Sequence, residues 1–217
     1  MGEAGLRRLF WIVLAEIVLY VLLDAVAQLL PPHYSPISNA ESDLAVGPYG
    51  YIMAINFVNR GILSIVFLYA FVRTAKGAGQ SVRSNGSSGL KTGAYLLGLW
   101  AVGSILLAAF PTDVPPTPIS WHGAIHGVLA LIVFVGGVLG ALMLSRRFGE
   151  IETLKRMKGK ASALAYFSTV SLVVTLVSLT TPVGGLTERI FLGSVLLWIA
   201  IVSGYLAKSK GPVQGTG

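Results

Sequence analysis

Six long apolar segments dominate the pattern of hydrophobic and polar positions along this 217-residue chain. They cover residues 9–30, 51–72, 93–110, 123–144, 161–181 and 186–207. A helix needs roughly 17–25 mostly apolar residues to cross the hydrocarbon core of a bilayer, and each segment falls in that range. The pattern therefore predicts an all-α fold, an integral membrane bundle of six transmembrane helices that forms a single domain over residues 1–217.

The composition agrees with a membrane protein. Hydrophobic residues make up 54% of the chain and charged residues only 12%, whereas about a quarter of a soluble domain is charged. The chain has no cysteine, which excludes disulfides, thiolate nucleophiles and cysteine-ligated metal sites. The net charge of +7 does not predict nucleic acid as a partner. Most basic residues lie between apolar segments, where the lipid bilayer explains them.

The basic residues also predict an orientation. All sixteen Lys and Arg residues except Arg60 and Arg189 lie near the termini or in alternate connections, and connections 31–50, 111–122 and 182–185 contain none. By the positive-inside rule, both termini are cytoplasmic and those three connections are extracytoplasmic loops of a multi-pass protein of the cell membrane. Residues 76–89 are rich in Gly and Ser, which is typical of a flexible linker.

A group of residues at the predicted outer face could carry chemistry. His122 and His126 are four residues apart where the fourth helix begins, so both project from one helix face. Helix-borne metal pairs use this spacing, and Asp113 at the outer end of helix three is a natural third ligand. The spacing indicates a site for zinc or another divalent metal formed by Asp113, His122 and His126.

Two other interpretations of these residues stay open. The acid and the histidines could form a hydrogen-bonded network without metal, because polar groups at membrane depth need partners. Alternatively, their roles could be unrelated. Asp113 could cap a helix or turn the chain, and His122 beside Trp121 could lie at the membrane interface.

The first outer loop offers a further acid. Ser38 and Glu41 have the spacing of a capping box, and Gly47 followed by Pro48 would end the short helix that it opens. This account uses Glu41 and leaves Asp43 free. Asp43 could then point inward from a loop that covers the mouth of the bundle, as a catalytic acid or base.

Several polar residues interrupt the first two apolar segments, chiefly Glu16, Asp24, Asn56 and Arg60. Arg60 falls at a depth between Glu16 and Asp24, and a charge at that depth must be paired and face the interior. We therefore expect helices one and two to touch, with Arg60 bonded to Asp24, Glu16 or both. Such a network could fix helix register, or it could line a proton path or an anionic headgroup pocket.

Helix four carries two pairs of glycines four residues apart, Gly123 with Gly127 and Gly136 with Gly140. Small residues at this spacing let helices approach closely. The pairs predict a central helix in the bundle, although they would equally permit a homo-oligomer.

Five short motifs together resemble a known family. They lie at residues 36–38 (Pro-Ile-Ser), 42–44 (Ser-Asp-Leu), 47–49 (Gly-Pro-Tyr), 110–113 (Phe-Pro-x-Asp) and 122–126 (His-Gly-x-x-His). The resemblance is to archaeal and bacterial six-helix membrane proteins catalogued as a domain of unknown function, number 998. It implies the six-helix fold and the grouping of Asp43, Asp113, His122 and His126, and it implies no activity.

A looser similarity is to the ceramidase-like membrane hydrolases, which hold zinc with three histidines and use a nearby Asp and Ser. The His122/His126 pair is similar to theirs. It lies on the fourth helix rather than the last, however, and the remaining histidine, His33, lies in a loop.

These observations leave three hypotheses for function. The first is a metal-dependent hydrolase of lipid-like substrates, in which Asp113, His122 and His126 bind the metal or activate water and Asp43 is the acid or base. The second is a non-catalytic membrane protein that binds a lipid or small molecule, or an accessory subunit bound to a membrane protein partner. The third is proton-coupled transport along a water-filled path lined by the intramembrane charges.

Overall fold

The computed structural model describes residues 2–30, 32–77 and 87–209, and in these ranges it contains six long helices and no strand. The helices are α1 (Glu3–Leu29), α2 (Gly50–Gly77), α3 (Ser87–Leu107), α4 (Trp121–Arg147), α5 (Lys158–Ser178) and α6 (Gly184–Lys208). All six are long and apolar enough to cross a membrane. The predicted all-α bundle of six spanning helices is confirmed.

Helix ends differ from the apolar segments at several places. α2 continues to Gly77 and α3 begins at Ser87, so both ends of the predicted linker are helical, while residues 78–86 lie outside the described ranges. α4 begins two residues before its apolar segment because the side chain of Ser120 accepts a hydrogen bond from the backbone N–H of Gly123. Such a cap satisfies a donor that the first helical turn leaves free.

The six helices form a closed ring in chain order. Each helix packs against the next one, and α6 returns to pack against α1. Two tryptophans lie in the interior, and the indole N–H of each donates a hydrogen bond to a serine hydroxyl. Trp100 donates to Ser64 over 3.0 Å, and Trp198 donates to Ser145 over 2.8 Å. These bonds satisfy indole groups that would otherwise be unpaired in an apolar environment.

The connections that follow α1, α3 and α5 meet at the end of the ring opposite the start of α1 and the end of α6, and we call this end the distal end. The backbone N–H of Leu186 donates to the carbonyl of Ile37 over 2.9 Å, which joins the first connection to the start of α6. The first connection contains a short 3₁₀ helix, Glu41–Ala45, which we call the loop helix. It packs against α1, α2 and α6, so this connection enters the distal end of the ring.

The glycines of α4 divide into two groups. A Cβ atom on Gly136 would lie 2.7 Å from the carbonyl oxygen of Leu96, and one on Gly140 would lie 2.7 Å from the backbone nitrogen of Leu97. The close approach predicted for this pair is therefore confirmed, and its partner is α3. Gly127 has open space around its Cβ position. α4 is a member of the ring and not its centre, so that prediction was wrong.

The close α3–α4 contact can be tested with Gly140→Ala. The added methyl group meets backbone atoms of α3 that cannot rotate away, so we expect the free energy of unfolding to fall by about 1–3 kcal/mol. Gly127→Ala is the matched control on the same helix. It should leave the free energy of unfolding unchanged or raise it slightly, because alanine has a higher helix propensity than glycine. Unfolding in detergent micelles, followed by circular dichroism, would measure both, and equal losses would contradict this packing.

Candidate functional site

A buried ion pair lies at the distal end of the ring. The side chain of Arg60 on α2 is 1% exposed, and its Nη1 lies 3.6 Å from Oε2 of Glu41 in the loop helix. Its Nε donates to the hydroxyl of Ser104 over 3.0 Å, and its Nη1 donates to the hydroxyl of Tyr20 over 3.4 Å. The guanidinium also lies 5.0 Å from the centre of the Trp100 ring. Each contact compensates a charge that is costly in an apolar interior.

The partners predicted for Arg60 were wrong, although α1 and α2 do touch as expected. Glu16 contributes its backbone carbonyl, which accepts a hydrogen bond from Asn59 over 3.1 Å. Asp24 accepts a hydrogen bond from Gln28 one turn along its own helix. Depth along neighbouring helices suggested these acids. It could not indicate that a loop would bring a carboxylate to the same depth.

Asn56 belongs to the same region. It is fully buried, and its side-chain N–H donates to the backbone carbonyl of Tyr20 over 3.1 Å. This bond fixes α2 against α1 one turn from Arg60. The predicted intramembrane group therefore divides, with Asn56 and Arg60 beside Tyr20, and Glu16 and Asp24 making other contacts.

Glu41 does not cap the loop helix, so the capping-box prediction was wrong. Ala40 is the N-cap residue and provides no side-chain hydrogen bond. The Glu41 side chain is instead buried in the ring, where it accepts a hydrogen bond from the hydroxyl of Tyr20. The ion pair with Arg60 and the hydrogen bond from Tyr20 occupy the carboxylate that a cap would have used.

Glu188 is a site residue that the sequence analysis missed. It is the fifth residue of α6, is 6% exposed, and accepts a hydrogen bond from the backbone N–H of Glu41 over 2.8 Å. The signal was available, because Glu188 is an acid inside the apolar segment 186–207, and such residues are rare and functional by default. We define the charge centre as Tyr20, Glu41, Arg60 and Glu188.

A small cavity of about 20 Å³ adjoins the charge centre, which is room for one water molecule. Glu41, Arg60, Glu188 and His126 are among its lining residues. His126 on α4 is 4% exposed, and its Nδ1 donates to the backbone carbonyl of Phe110 over 2.7 Å. That bond orients the imidazole and assigns the proton to Nδ1, which leaves Nε2 as an acceptor.

The three predicted metal ligands have separate partners. Asp113 accepts hydrogen bonds from the backbone N–H of Ser120 over 2.6 Å and from its hydroxyl over 3.0 Å, so it holds the residue that caps α4. His122 is half-buried, and the centre of its ring lies 3.4 Å from the centre of the Trp121 ring. Among the described residues, no group of three or more His, Asp or Glu side chains is arranged to hold a metal ion.

A second cavity, of about 180 Å³, lies under the first connection at the distal end, and we call it the distal cavity. Asp43 of the loop helix is one of its lining residues, together with His33, Tyr34, Asn39 and Tyr49. Burial raises the pKa of the Asp43 carboxyl above its usual range, and hydrogen bonds with the Ala40 backbone and the Asn39 side chain offset part of the shift. The apolar part of the lining comprises Ala27, Leu30, Pro32, Leu44, Val46 and Val114.

Arg189 on α6 holds the first connection against the distal end of the ring through hydrogen bonds. Its guanidinium donates to the backbone carbonyls of Pro36 over 3.1 Å and Asn39 over 3.0 Å, and to the hydroxyl of Tyr34. Burial raises the pKa of that hydroxyl, so Tyr34 stays neutral. Arg189 was one of two basic residues that did not fit the orientation pattern, and these contacts explain its position.

Six apolar helices in a closed ring, with ionisable side chains buried at one end, define a multi-pass membrane protein. The chain belongs to the family described as "Protein of unknown function (DUF998)", whose model matches residues 14–205. The match includes all of α2 to α5 and most of α1 and α6. No curated protein and no solved structure matches the chain.

The buried ion pair can be tested with Arg60→Met. Loss of the guanidinium leaves Glu41 as an uncompensated buried charge, so we expect the free energy of unfolding to fall by about 3–5 kcal/mol. Adding Glu41→Gln to Arg60→Met should restore part of that loss, because the orphaned charge is removed as well. Detergent unfolding of both single variants and the double variant gives the coupling energy.

The control for this cycle is Arg147→Met, which removes an exposed ion pair of 2.7 Å with Glu150 at the opposite end. Exposed pairs contribute about 0–1 kcal/mol. A loss in Arg147→Met as large as that in Arg60→Met would contradict the special role of the buried pair.

Proposed function

We propose that the protein binds the ammonium head of an amphipathic molecule in the distal cavity, without covalent chemistry. The observation that carries this proposal is the lining of that cavity. Among the described residues that line it, Asp43 supplies a carboxylate and Tyr49 supplies an aromatic ring, while the ring of Tyr34 already has the Arg189 guanidinium 5.2 Å from its centre. A carboxylate with aromatic rings is the chemistry that attracts ammonium groups, because both the charge and the ring faces are negative.

The size and polarity of the cavity support an amphipathic ligand. Its volume of about 180 Å³ is below the roughly 300–1,000 Å³ of pockets that enclose drug-sized ligands. It therefore suits a head group whose hydrocarbon tail stays in the bilayer. Leu29 and Ile37 are exposed near the same end, and they offer apolar surface to such a tail.

The orientation predicted from the basic residues indicates from which side of the membrane the ligand would come. If the basic connections are cytoplasmic, the distal end faces the other side of the membrane. The ligand then comes from the outer leaflet or from the extracytoplasmic solution.

The proposal can be tested with Asp43→Asn, which keeps the side-chain shape and removes the charge. Native mass spectrometry of delipidated protein should detect bound phosphatidylethanolamine in preference to phosphatidylglycerol. Loss of a charge-assisted hydrogen bond costs about 1.5–3 kcal/mol, so the variant should bind phosphatidylethanolamine roughly 10–100-fold more weakly.

The pH dependence provides a second readout of the same experiment. An ammonium ligand needs the ionised form of Asp43, so binding should be lost as the pH falls through the pKa of this carboxyl. Because burial raises that pKa, the loss should begin at a higher pH than for an exposed Asp, whose pKa is about 3.9. Glu152→Gln, at an exposed position, is the control and should bind as wild type. Equal binding of the two lipids would contradict the proposal.

The competing proposal is the metal-dependent hydrolase with Asp113, His122 and His126 as ligands. The histidine spacing, the position of Asp113 and the looser similarity to ceramidase-like hydrolases support it, but the three side chains have separate partners. We therefore expect metal analysis of purified protein to give the same content for wild type and His126→Ala. About one equivalent of zinc or another divalent metal in wild type, lost in His126→Ala, would instead favour the hydrolase. It would also justify screening lipid amides and esters.

A further inference from the structure

We propose that Glu188 is a proton-binding site of this membrane protein. Its carboxyl carries a proton beside the Arg60–Glu41 ion pair and exchanges it with water through the small cavity. This inference does not depend on the ligand of the distal cavity, because it rests on the charge centre.

The first argument is the balance of charges. The charge centre contains one guanidinium and two carboxylates. Arg60 lies 3.6 Å from Glu41 and compensates it. In the described part of the chain, no Lys or Arg nitrogen lies within 4.0 Å of the Glu188 carboxyl. A buried carboxylate without a cation takes up a proton rather than remain charged, and one proton on Glu188 makes the centre neutral.

Among the residues that the structure describes, no cation forms an ion pair with the Glu188 carboxyl. Arg189, the next residue, directs its guanidinium to the backbone carbonyls of the first connection and to Tyr34. α5 faces this turn of α6 with hydroxyls, as Thr175 and Ser178 contact Thr187. The titratable and charged groups around Glu188 are Tyr20 on α1, Tyr34 in the first connection, Glu41 and Asp43 on the loop helix, Arg60 on α2, His126 on α4 and Arg189 on α6.

The second argument is the cavity itself. It has room for one water molecule and is lined by Glu188, Glu41 and His126. In the described part of the chain, nothing bonds to Nε2 of His126, which keeps its lone pair because Nδ1 donates to a carbonyl. A water molecule in this cavity would give that nitrogen a hydrogen-bond donor. Ser42, only partly buried, also lines the cavity, which therefore reaches the loop helix.

Proton exchange at this site is a simple reaction. On release, the O–H bond of the Glu188 carboxylic acid breaks, its electron pair stays on the carboxylate, and the proton passes to water. On uptake the same steps run in reverse. No other reactant is needed.

Infrared spectroscopy of the purified protein in detergent tests the proposal directly. We expect wild type at neutral pH to show the C=O stretch of about one protonated carboxylic acid per chain, shifted in heavy water. Raising the pH should convert that band reversibly into a carboxylate band. Glu188→Gln keeps the shape of the side chain and an acceptor for the N–H of Glu41, so it should fold and lack the band.

Two variants serve as controls and should keep the band. Glu152→Gln removes an exposed acid, and Asp24→Asn removes a partly buried acid whose Oδ1 has no hydrogen-bond partner. Absence of the band in wild type, or its survival in Glu188→Gln, would overturn the proposal. A band that appears only when sodium is removed from the buffer would overturn it too, because the site would then hold a metal cation instead of a proton.

Discussion

The ion pair between Arg60 and Glu41 is the interaction on which the distal end depends. A guanidinium with 1% of its side chain exposed inside an apolar ring needs an anion. The carboxylate comes from the first connection and not from a neighbouring helix, so the loop helix must enter the ring. Its entry places the backbone N–H of Glu41 against Glu188. One electrostatic requirement on α2 thus positions a loop and the start of α6.

The loop helix also connects the two cavities. Glu41 faces the charge centre and Asp43, two residues later, lines the distal cavity. The ligand proposed beside Asp43 and the proton proposed on Glu188 would both lie next to this short 3₁₀ helix. Arg189 restrains that element through the carbonyls of Pro36 and Asn39. The loop helix therefore borders both cavities, and the polar contacts of Arg189 hold the residues just before it.

The histidine pair illustrates the limit of spacing arguments. His122 and His126 do lie one turn apart on α4, yet one ring contacts Trp121 near the surface and the other is buried against the carbonyl of Phe110. Asp113 is used by Ser120 at the start of α4. Helical periodicity predicts a shared face, but a metal site also requires depth and orientation to converge. Those depend on neighbouring elements.

Hydropathy alone established the six spans, because the energy of placing each segment in a bilayer is a property of local composition. Glycine spacing likewise indicated a close helix contact at Gly136 and Gly140, because the missing side chains are local too. The partner of Arg60 and the role of Glu188 required the folded chain. Glu41 and Glu188 are 147 residues apart in sequence, and the cost of burying charge selects among all acids that the fold brings within reach. The sequence around Arg60 or Glu188 does not indicate which distant acid the fold places beside it.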